Sequence, residues 1–416
     1  MILNGIPLAL IASLMVSMAT AAFDASQLKI DYQGEFSWTF LGNASNGYKD
    51  NIVVSPYSIR RLVTSLTNIT ERSNGITNEL RNALNLMIVP AIQQRYYEQM
   101  KRLNRGGDLI MGSSLVVYSP NAISAGLSTI ANRYGLKLVQ TSDKISAFTP
   151  INSAISELTK GKVIAFTNRF EYDFWPFSLM DYMQYSGLWK YNFNGDPTVC
   201  HFYTDARTKT LSKFVTVEAI LKYGSFSDLN LKAVELPLAE SSALSCIFLL
   251  PLNKQSLNSV MKNFNHNNFR DILKGLTPLK TLVTVPEFEI QSTTLAKNVL
   301  KSMGLPKAFD EKIYKIYQDG REQIGEIIHK AKFTMHGNGT MDTTGEELLS
   351  RDMGKQFLAN QPFVYVIFER TESMPVLMGH FMKPTEKLPK TVKESTESRC
   401  QVPPFEGTSW FSWMKG

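Results

Sequence analysis

The stretch FLANQPFVYVI (residues 357–367), with VLMGHFMKP (residues 376–384) shortly after it, decides how this chain is read. The first is an aliphatic strand entered through Asn360-Gln361-Pro362-Phe363, and the second is a closing strand that ends at Pro384. Short apolar runs rich in aromatic and β-branched residues, bounded by turn residues, belong to strands. Upstream, LIMGSSLVVY (109–118) and VELPLAESSALSCIFLLP (234–251) read as buried strands in the same way, and LVTVPEFEI (282–290) alternates like a strand. Helices lie between them. Residues 28–41 carry apolar residues at mixed three- and four-residue spacing, and Pro56 opens a helix to about Asn68 with Ser55 as its N-cap. Residues 151–158 and 292–303 are helical, the latter ended by Gly304. The interleaving is irregular, with no internal repeat and no linker before residue 384, which predicts one α+β domain.

Composition narrows the class without deciding it. At roughly 150 residues per domain, 416 residues allow two or three domains, but large folds exceed that prior. With 44% apolar and 19% charged residues the chain is neither disordered nor fibrous, and after the N-terminus no apolar tract is long enough for a multi-pass membrane protein. A net charge of +7 without dense basic blocks does not indicate nucleic-acid binding. Residues 6–18 (IPLALIASLMVSM) followed by Ala19-Thr20-Ala21-Ala22 resemble a cleaved secretory signal, giving a leader at 1–21 and a secreted, extracellular protein. Secretion in turn gives weight to the sequons at Asn43, Asn68 and Asn338, and hence to a glycoprotein. Cys200, Cys246 and Cys400 are an odd set, so at least one thiol is free or intermolecular, and Cys400 stands where it could reach another chain.

The chain offers no starting point for conventional catalysis. None of its five histidines sits in H-E-x-x-H or beside a C-x-x-C pair, so no metal site is supported. No nucleophile elbow, phosphate loop or dinucleotide fingerprint follows a strand, so no cofactor is implied and the chain does not read as an enzyme. Its function has to come from binding or from a conformational change.

Several segments taken together resemble the serpin family of serine-protease inhibitors. Residues 357–367 and 376–384 are similar to the family signature and its closing strand, and Asn51 to Ile59 to the start of its helix B. Ile151-Asn152 with Thr159-Lys160-Gly161-Lys162 resembles helix F, and Gly187-Leu188-Trp189 the strand where the reactive loop enters. Val234 to Pro237 with Phe248 to Pro251 resembles the central B-sheet strands, and His329-Lys330-Ala331 the strand leading into the loop. These matches run in order over residues 28–384, and the hinge and tail are similar to those of rapidly diverging insect serpins. The resemblance implies a serpin domain at 22–384 with three β-sheets, about nine helices and an exposed reactive-centre loop at about 337–358. Residues 385–416 are then a flexible C-terminal tail.

By the same resemblance the protein is a monomeric suicide substrate. An extracellular serine protease attacks the loop and forms an acyl-enzyme, and the loop inserts as a strand in the main sheet before deacylation; serpins are themselves an established instance of strand addition and stored strain. Counting from either end of the loop selects Arg351 or Met353 as the bait (P1), predicting a trypsin-like target in the first case and a chymotrypsin-like one in the second. The hinge falls on Gly337, Gly339, Thr340, Asp342 and Thr344, and it departs from the small-residue pattern of inhibitory members. In an extended strand Thr340, Asp342, Thr344 and Glu346 share one face and Glu347 stands on the other, so either face carries a carboxylate that resists burial. A non-inhibitory serpin, binding a ligand or partner or serving only as substrate, is the alternative. Ser55, Ser58, Asp181 and His329 match the polar cluster that controls strand separation, with Trp189 at the point of entry. Asp181 stands where Asn is usual, so a carboxylate there is expected to pair with His329 and raise its pKa. Ala154 replaces the Trp common in helix F, which predicts looser packing there. Arg95, Lys101, Arg102 and Arg105 lie where some serpins bind glycosaminoglycans, although a solvated helix face also accounts for them.

Overall fold

The computed structural model describes residues 32–396 and Cys400, apart from residues 71–73, 85–88, 104–106, 144–146, 169–175, 194, 206, 240–241, 253–255, 342–353 and 390. The leader, residues 28–31 of the first helix, Arg105, the loop residues Asp342, Thr344, Glu346, Glu347, Arg351 and Met353, and the chain after Cys400 lie outside the described residues. Among the described residues, no helix is long and apolar enough to cross a membrane.

Sixteen described strands form three sheets. The nine-stranded sheet runs β1 (Ile52–Val54), β16 (Met374–Phe381), β15 (Phe363–Glu369), β9 (Leu244–Pro251), β8 (Leu231–Pro237), β7 (Lys209–Phe226), β10 (Thr277–Pro286) and β14 (Lys355–Leu358), with β6 (Thr198–Tyr203) paired to β7. The five-stranded sheet runs β11 (Phe288–Leu295), β12 (Ile324–Met335), β4 (Phe177–Tyr185), β2 (Leu109–Tyr118) and β3 (Lys137–Thr141). The third sheet is the pair β5 (Trp189–Tyr191) and β13 (Gly339–Met341). Ten described helices surround them: α1 (Tyr32–Ala44), α2 (Pro56–Leu66), α3 (Asn74–Leu84), α4 (Val89–Leu103), α5 (Ala125–Tyr134), α6 (Phe148–Leu158), α7 (Leu257–Met261), α8 (His266–Gly275), α9 (Ala296–Ser302) and α10 (Lys307–Asp310).

The stretch at 357–384 supplies the end of β14 and, on the other side of the larger sheet, the neighbouring strands β15 and β16, which with β9 are buried at every residue. Burial on both faces is why these strands read as continuous apolar runs. Aromatic rings lock the two large sheets together: Phe288 of β11 stacks on Phe381 of β16 at 4.6 Å, and Phe333 of β12 meets Tyr365 of β15 in a tilted contact at 4.9 Å. Helix α2 begins as its sequence indicates, with Pro56 in the first turn and the Ser55 hydroxyl accepting the Ser58 amide at 3.2 Å. It is buried along its whole length, Arg60 and Arg61 included.

Two sequence assignments change. The run at 282–290 is a corner: β10 ends at Pro286 and β11 starts at Phe288 in the other large sheet. The helix assigned to 292–303 begins only at Ala296, because Ser292 to Leu295 still pair with β12. Its end is right, since Gly304 takes φ +95, a conformation that suits glycine.

Candidate functional site

In the five-stranded sheet β4 and β12 lie side by side in parallel, with Ile324 opposite Phe177 and, after a one-residue irregularity, in register from Glu326 opposite Ser178 to Lys332 opposite Gln184. Ser113 of β2, Asp181 of β4 and His329 of β12 face one another across three neighbouring strands. Their side chains meet α2 beneath the sheet, and all are essentially excluded from solvent. His329 Nδ1 lies 2.7 Å from Asp181 Oδ2, and its Nε2 accepts the Ser55 amide at 2.8 Å. Ser58 and Ser113 each donate a hydroxyl to Asp181 Oδ1 at 2.6 Å, and Arg61 Nη2 stands 3.8 Å from the same oxygen. The sequence thus places Ser55, Ser58, Asp181 and His329 together, but Arg61 and Ser113 were missed. Two arginines inside an apolar helix were the available signal, since a buried cation needs an acid.

This geometry restricts the chemistry. Burial alone raises the Asp181 carboxyl, but the His329 hydrogen bond and the charge of Arg61 outweigh it and hold the group below its ordinary value. The Ser55 N–H points at His329 Nε2, so the ring accepts there and carries its proton on Nδ1, toward Asp181. The permanent cation beside Asp181 is Arg61. Although Ser, His and Asp meet here, they are no catalytic triad. The Ser55 hydroxyl donates to the Val376 carbonyl at 2.7 Å rather than to His329, and no substrate reaches the buried cluster. What the cluster does is bridge β4 to β12. A strand admitted between them would move them about 9–10 Å apart, two strand spacings, and break the His329–Asp181 bond.

The opposite face of the seam lies under α6. Met180 and Tyr182 of β4 and Ile328 of β12 pack with Ile151, Ala154 and Ile155 of α6 in a small separate core. Ala154 is buried there. Asn152 fixes the segment after α6, its side-chain oxygen accepting the Phe166 and Thr167 amides at 2.9 Å each and its amide donating to the Thr167 carbonyl at 2.8 Å. Separation of β4 from β12 therefore also requires α6 to shift.

Beyond the seam the chain leaving β12 continues as β13, parallel to β5, with Gly339 opposite Trp189 and Met341 opposite Tyr191. The buried Trp189 donates its indole N–H to the His336 carbonyl at 2.7 Å, and the Asn192 side chain accepts the Gly339 amide at 2.6 Å. Thr340 is exposed, its hydroxyl donating to the Lys190 carbonyl at 3.1 Å. Gly339 is required here: a Cβ would sit 2.3 Å from the Tyr191 carbonyl carbon and oxygen and 2.4 Å from the Asn192 nitrogen. Gly337 has more room, with Phe193 Cβ 3.3 Å from a built Cβ. The described hinge is thus docked on β5, short of the seam. Gly339→Ala is expected to lift β13 from β5 and speed hydrogen exchange at Thr340 and Met341 about tenfold. Unchanged exchange would show that the close approach at Gly339 does not hold the hinge.

The remaining predicted residues scatter. Asn43, Asn68 and Asn338 are exposed, but the Asn43 amide donates to the Thr39 carbonyl at 2.8 Å and its carbonyl accepts Ser302 at 3.0 Å, so Asn43 is already engaged within the fold. Among the basic residues of α4, Arg95 pairs with Glu372 at 2.7 Å, and Arg102 bonds Glu372 and lies 3.7 Å from Glu369. Lys101 is exposed. Cys400 is not available to another chain, because it forms a disulfide with Cys200; the free thiol is the buried Cys246, which burial pushes up. Among the described residues no group of His, Cys, Asp and Glu could hold a metal ion.

Comparison with known proteins follows the same lines. The sequence profile of the family described as "Serpin (serine protease inhibitor)" matches residues 31–384. A protein of Aedes aegypti named "FXa-directed anticoagulant" is 29% identical over 391 residues, covering 91% of this chain and 93% of the relative. "Serine protease inhibitor 2" of Anopheles gambiae is 24% identical over 90% of this chain and 97% of the relative. Among solved structures, SRPN18 of Anopheles gambiae gives a TM-score of 0.76 at 18% identity, over 85% of this chain and 98% of that one. The thermophilic Tengpin in its native state gives 0.74 at 19% identity, over 85% and 93%. At such identities the structures speak to the fold alone.

Proposed function

The chain belongs to the serpin family, described as serine protease inhibitors, and from that premise we propose that it is a secreted inhibitor that traps an extracellular serine protease by inserting its cut loop between β4 and β12. The observation that carries this reading is the parallel β4–β12 junction, with the hinge already lying as a strand just beyond it. A loop folding back from β13 would enter antiparallel to both neighbours. One parallel ladder would then be replaced by two antiparallel ones, a net gain of one strand of hydrogen bonds in the stronger geometry. Ser55, Ser58, Asp181, His329 and Trp189 hold the junction shut until the loop is cut, and Gly337 to Thr344 form the hinge.

Arg351 is the bait in this reading, and a trypsin-like protease the target, because a pocket with a buried acid selects Arg. The anticoagulant name of the Aedes relative supports an extracellular protease as target. Asn338, exposed beside the hinge, and Asn68 are the sequons that carry glycans. Glycosaminoglycan binding through α4 draws little from the geometry, since Glu372 and Glu369 take up Arg95 and Arg102. The chain is accordingly expected to pass a heparin column at physiological ionic strength; retention released by salt would reverse that reading.

The test is incubation with trypsin followed by a denaturing gel. A complex that survives SDS, with a cut after Arg351, is the expected result. A cleaved chain without complex would mean substrate behaviour only, and a complex formed with chymotrypsin in place of trypsin would move the bait to Met353.

A further inference from the structure

β6 is an outer strand of the nine-stranded sheet, with residues Thr198–Tyr203 paired on one side to β7. In an antiparallel ladder alternate residues turn their backbone groups outward. Two of these outward groups are engaged by segments from far along the chain. The Val199 carbonyl accepts the Ser395 amide at 2.8 Å, and the Tyr203 amide donates to the Asn360 carbonyl at 2.8 Å. Asn360 belongs to the chain leaving β14, whereas Ser395 belongs to the chain after β16. The latter is fastened at three further points: Glu386 meets Lys213 at 3.1 Å, Glu394 meets His201 at 2.7 Å, and Cys400 is bonded to Cys200 within β6. Exposed ion pairs hold little. The disulfide holds more, because it joins residues 200 positions apart and so constrains the unfolded chain strongly.

We propose that the chain after β16, fastened through Glu386, Glu394, Ser395 and Cys400, is a redox-closed strap that keeps β6, and through Asn360 β14, in the nine-stranded sheet, so that the loop between β13 and β14 stays out of the β4–β12 junction while it is intact. The proposal rests on the insertion reading above. An intact loop is anchored by β13 at one end and β14 at the other, and it can line the junction only if β14 leaves β10. That strand is short, Lys355–Leu358, and its extension is held by Ala359 bonding Thr284 at 2.9 Å and Asn360 bonding Tyr203. A cut loop needs no such release, so the strap opposes premature insertion without opposing insertion after cleavage. Opening it takes two electrons and two protons from a dithiol, which gives free thiols at Cys200 and Cys400 and leaves the dithiol as its own disulfide.

The full chain is compared oxidised and after dithiothreitol reduction and alkylation, with Cys400→Ser as a second route to an open strap. Should that variant fail to fold, reduction of the folded chain still decides. Hydrogen exchange in β6 and β14 is expected to rise about tenfold in the open forms, and uncut chain resistant to concentrated urea to accumulate about tenfold faster on warming. Exchange and conversion at the oxidised rates would overturn the proposal, as would faster exchange without faster conversion. Oxidised chain cut in the loop is the control. If it gains no urea resistance, the insertion reading falls and the strap is judged on exchange alone.

Discussion

Asp181→Ala is expected to lower the midpoint of urea unfolding by the equivalent of about 3–5 kcal/mol, the cost of leaving a buried cation and its neighbours without their acid. Three donors, from Ser58, Ser113 and His329, lose their acceptor at once, and among the described residues Arg61 keeps neutral partners, the Tyr134 carbonyl and Ser113 at 2.5 Å each and Met100 Sδ at 3.5 Å. Asp181→Asn separates charge from hydrogen bonding: an amide can still bond the serines, so its loss should be smaller and fall on Arg61. The pH profile adds a sign. The Asp181 carboxyl titrates lower in the fold than in the unfolded chain, whose aspartates titrate near about 3.9. As pH falls past that value the unfolded chain takes up the proton first, so this contribution is fully present above it and is lost as pH drops through the folded value. The parent should therefore lose stability in acid more steeply than Asp181→Asn. Parallel profiles would remove Asp181 from control of the β4–β12 junction.

The second large effect concerns the loop carboxylates. One face of the junction is closed by the Asp181 cluster against α2 and the other by the α6 core, so an inserted strand has no open face on which to leave a charge. Asp342 and Glu346 share a face by strand alternation. Burying an unpaired carboxylate is costly enough to slow insertion, and slow insertion lets the acyl-enzyme hydrolyse. Asp342→Ala with Glu346→Ala is expected to raise the ratio of trapped to cleaved product about tenfold or more, read from the gel at a fixed protease concentration. An unchanged ratio would mean that these residues remain outside the junction or that insertion does not set the outcome.

Much of the fold was legible because its central strands are covered on both faces and carry their burial as unbroken apolar runs, as at Phe363 to Ile367. The Ser55-Pro56 start of α2 was equally legible, since cap and first turn are local chemistry. What escaped depends on partners far away in sequence. Ser292 to Leu295 look helical next to Ala296 but are held extended by β12. Pairing of Arg95 and Arg102 with Glu372 joins segments about 270 residues apart, so the same arginines looked free for a polyanion. Likewise nothing in the spacing of three cysteines selects Cys200 for Cys400, or the polar Ser395 for the Val199 carbonyl of β6. Arg61 signalled a buried acid without naming it, for a related reason: Asp181 lies on a strand that only the tertiary fold brings against α2.

Thermal unfolding of the chain before and after a single cut in the loop between β13 and β14 tests the central claim most directly. Insertion would add a strand with about ten new hydrogen bonds at about 1 kcal/mol each, and the cut chain is predicted to melt about 10–15 °C higher than the intact one. A cut chain that melts at or below the temperature of the intact one would contradict insertion and, with it, inhibition by trapping.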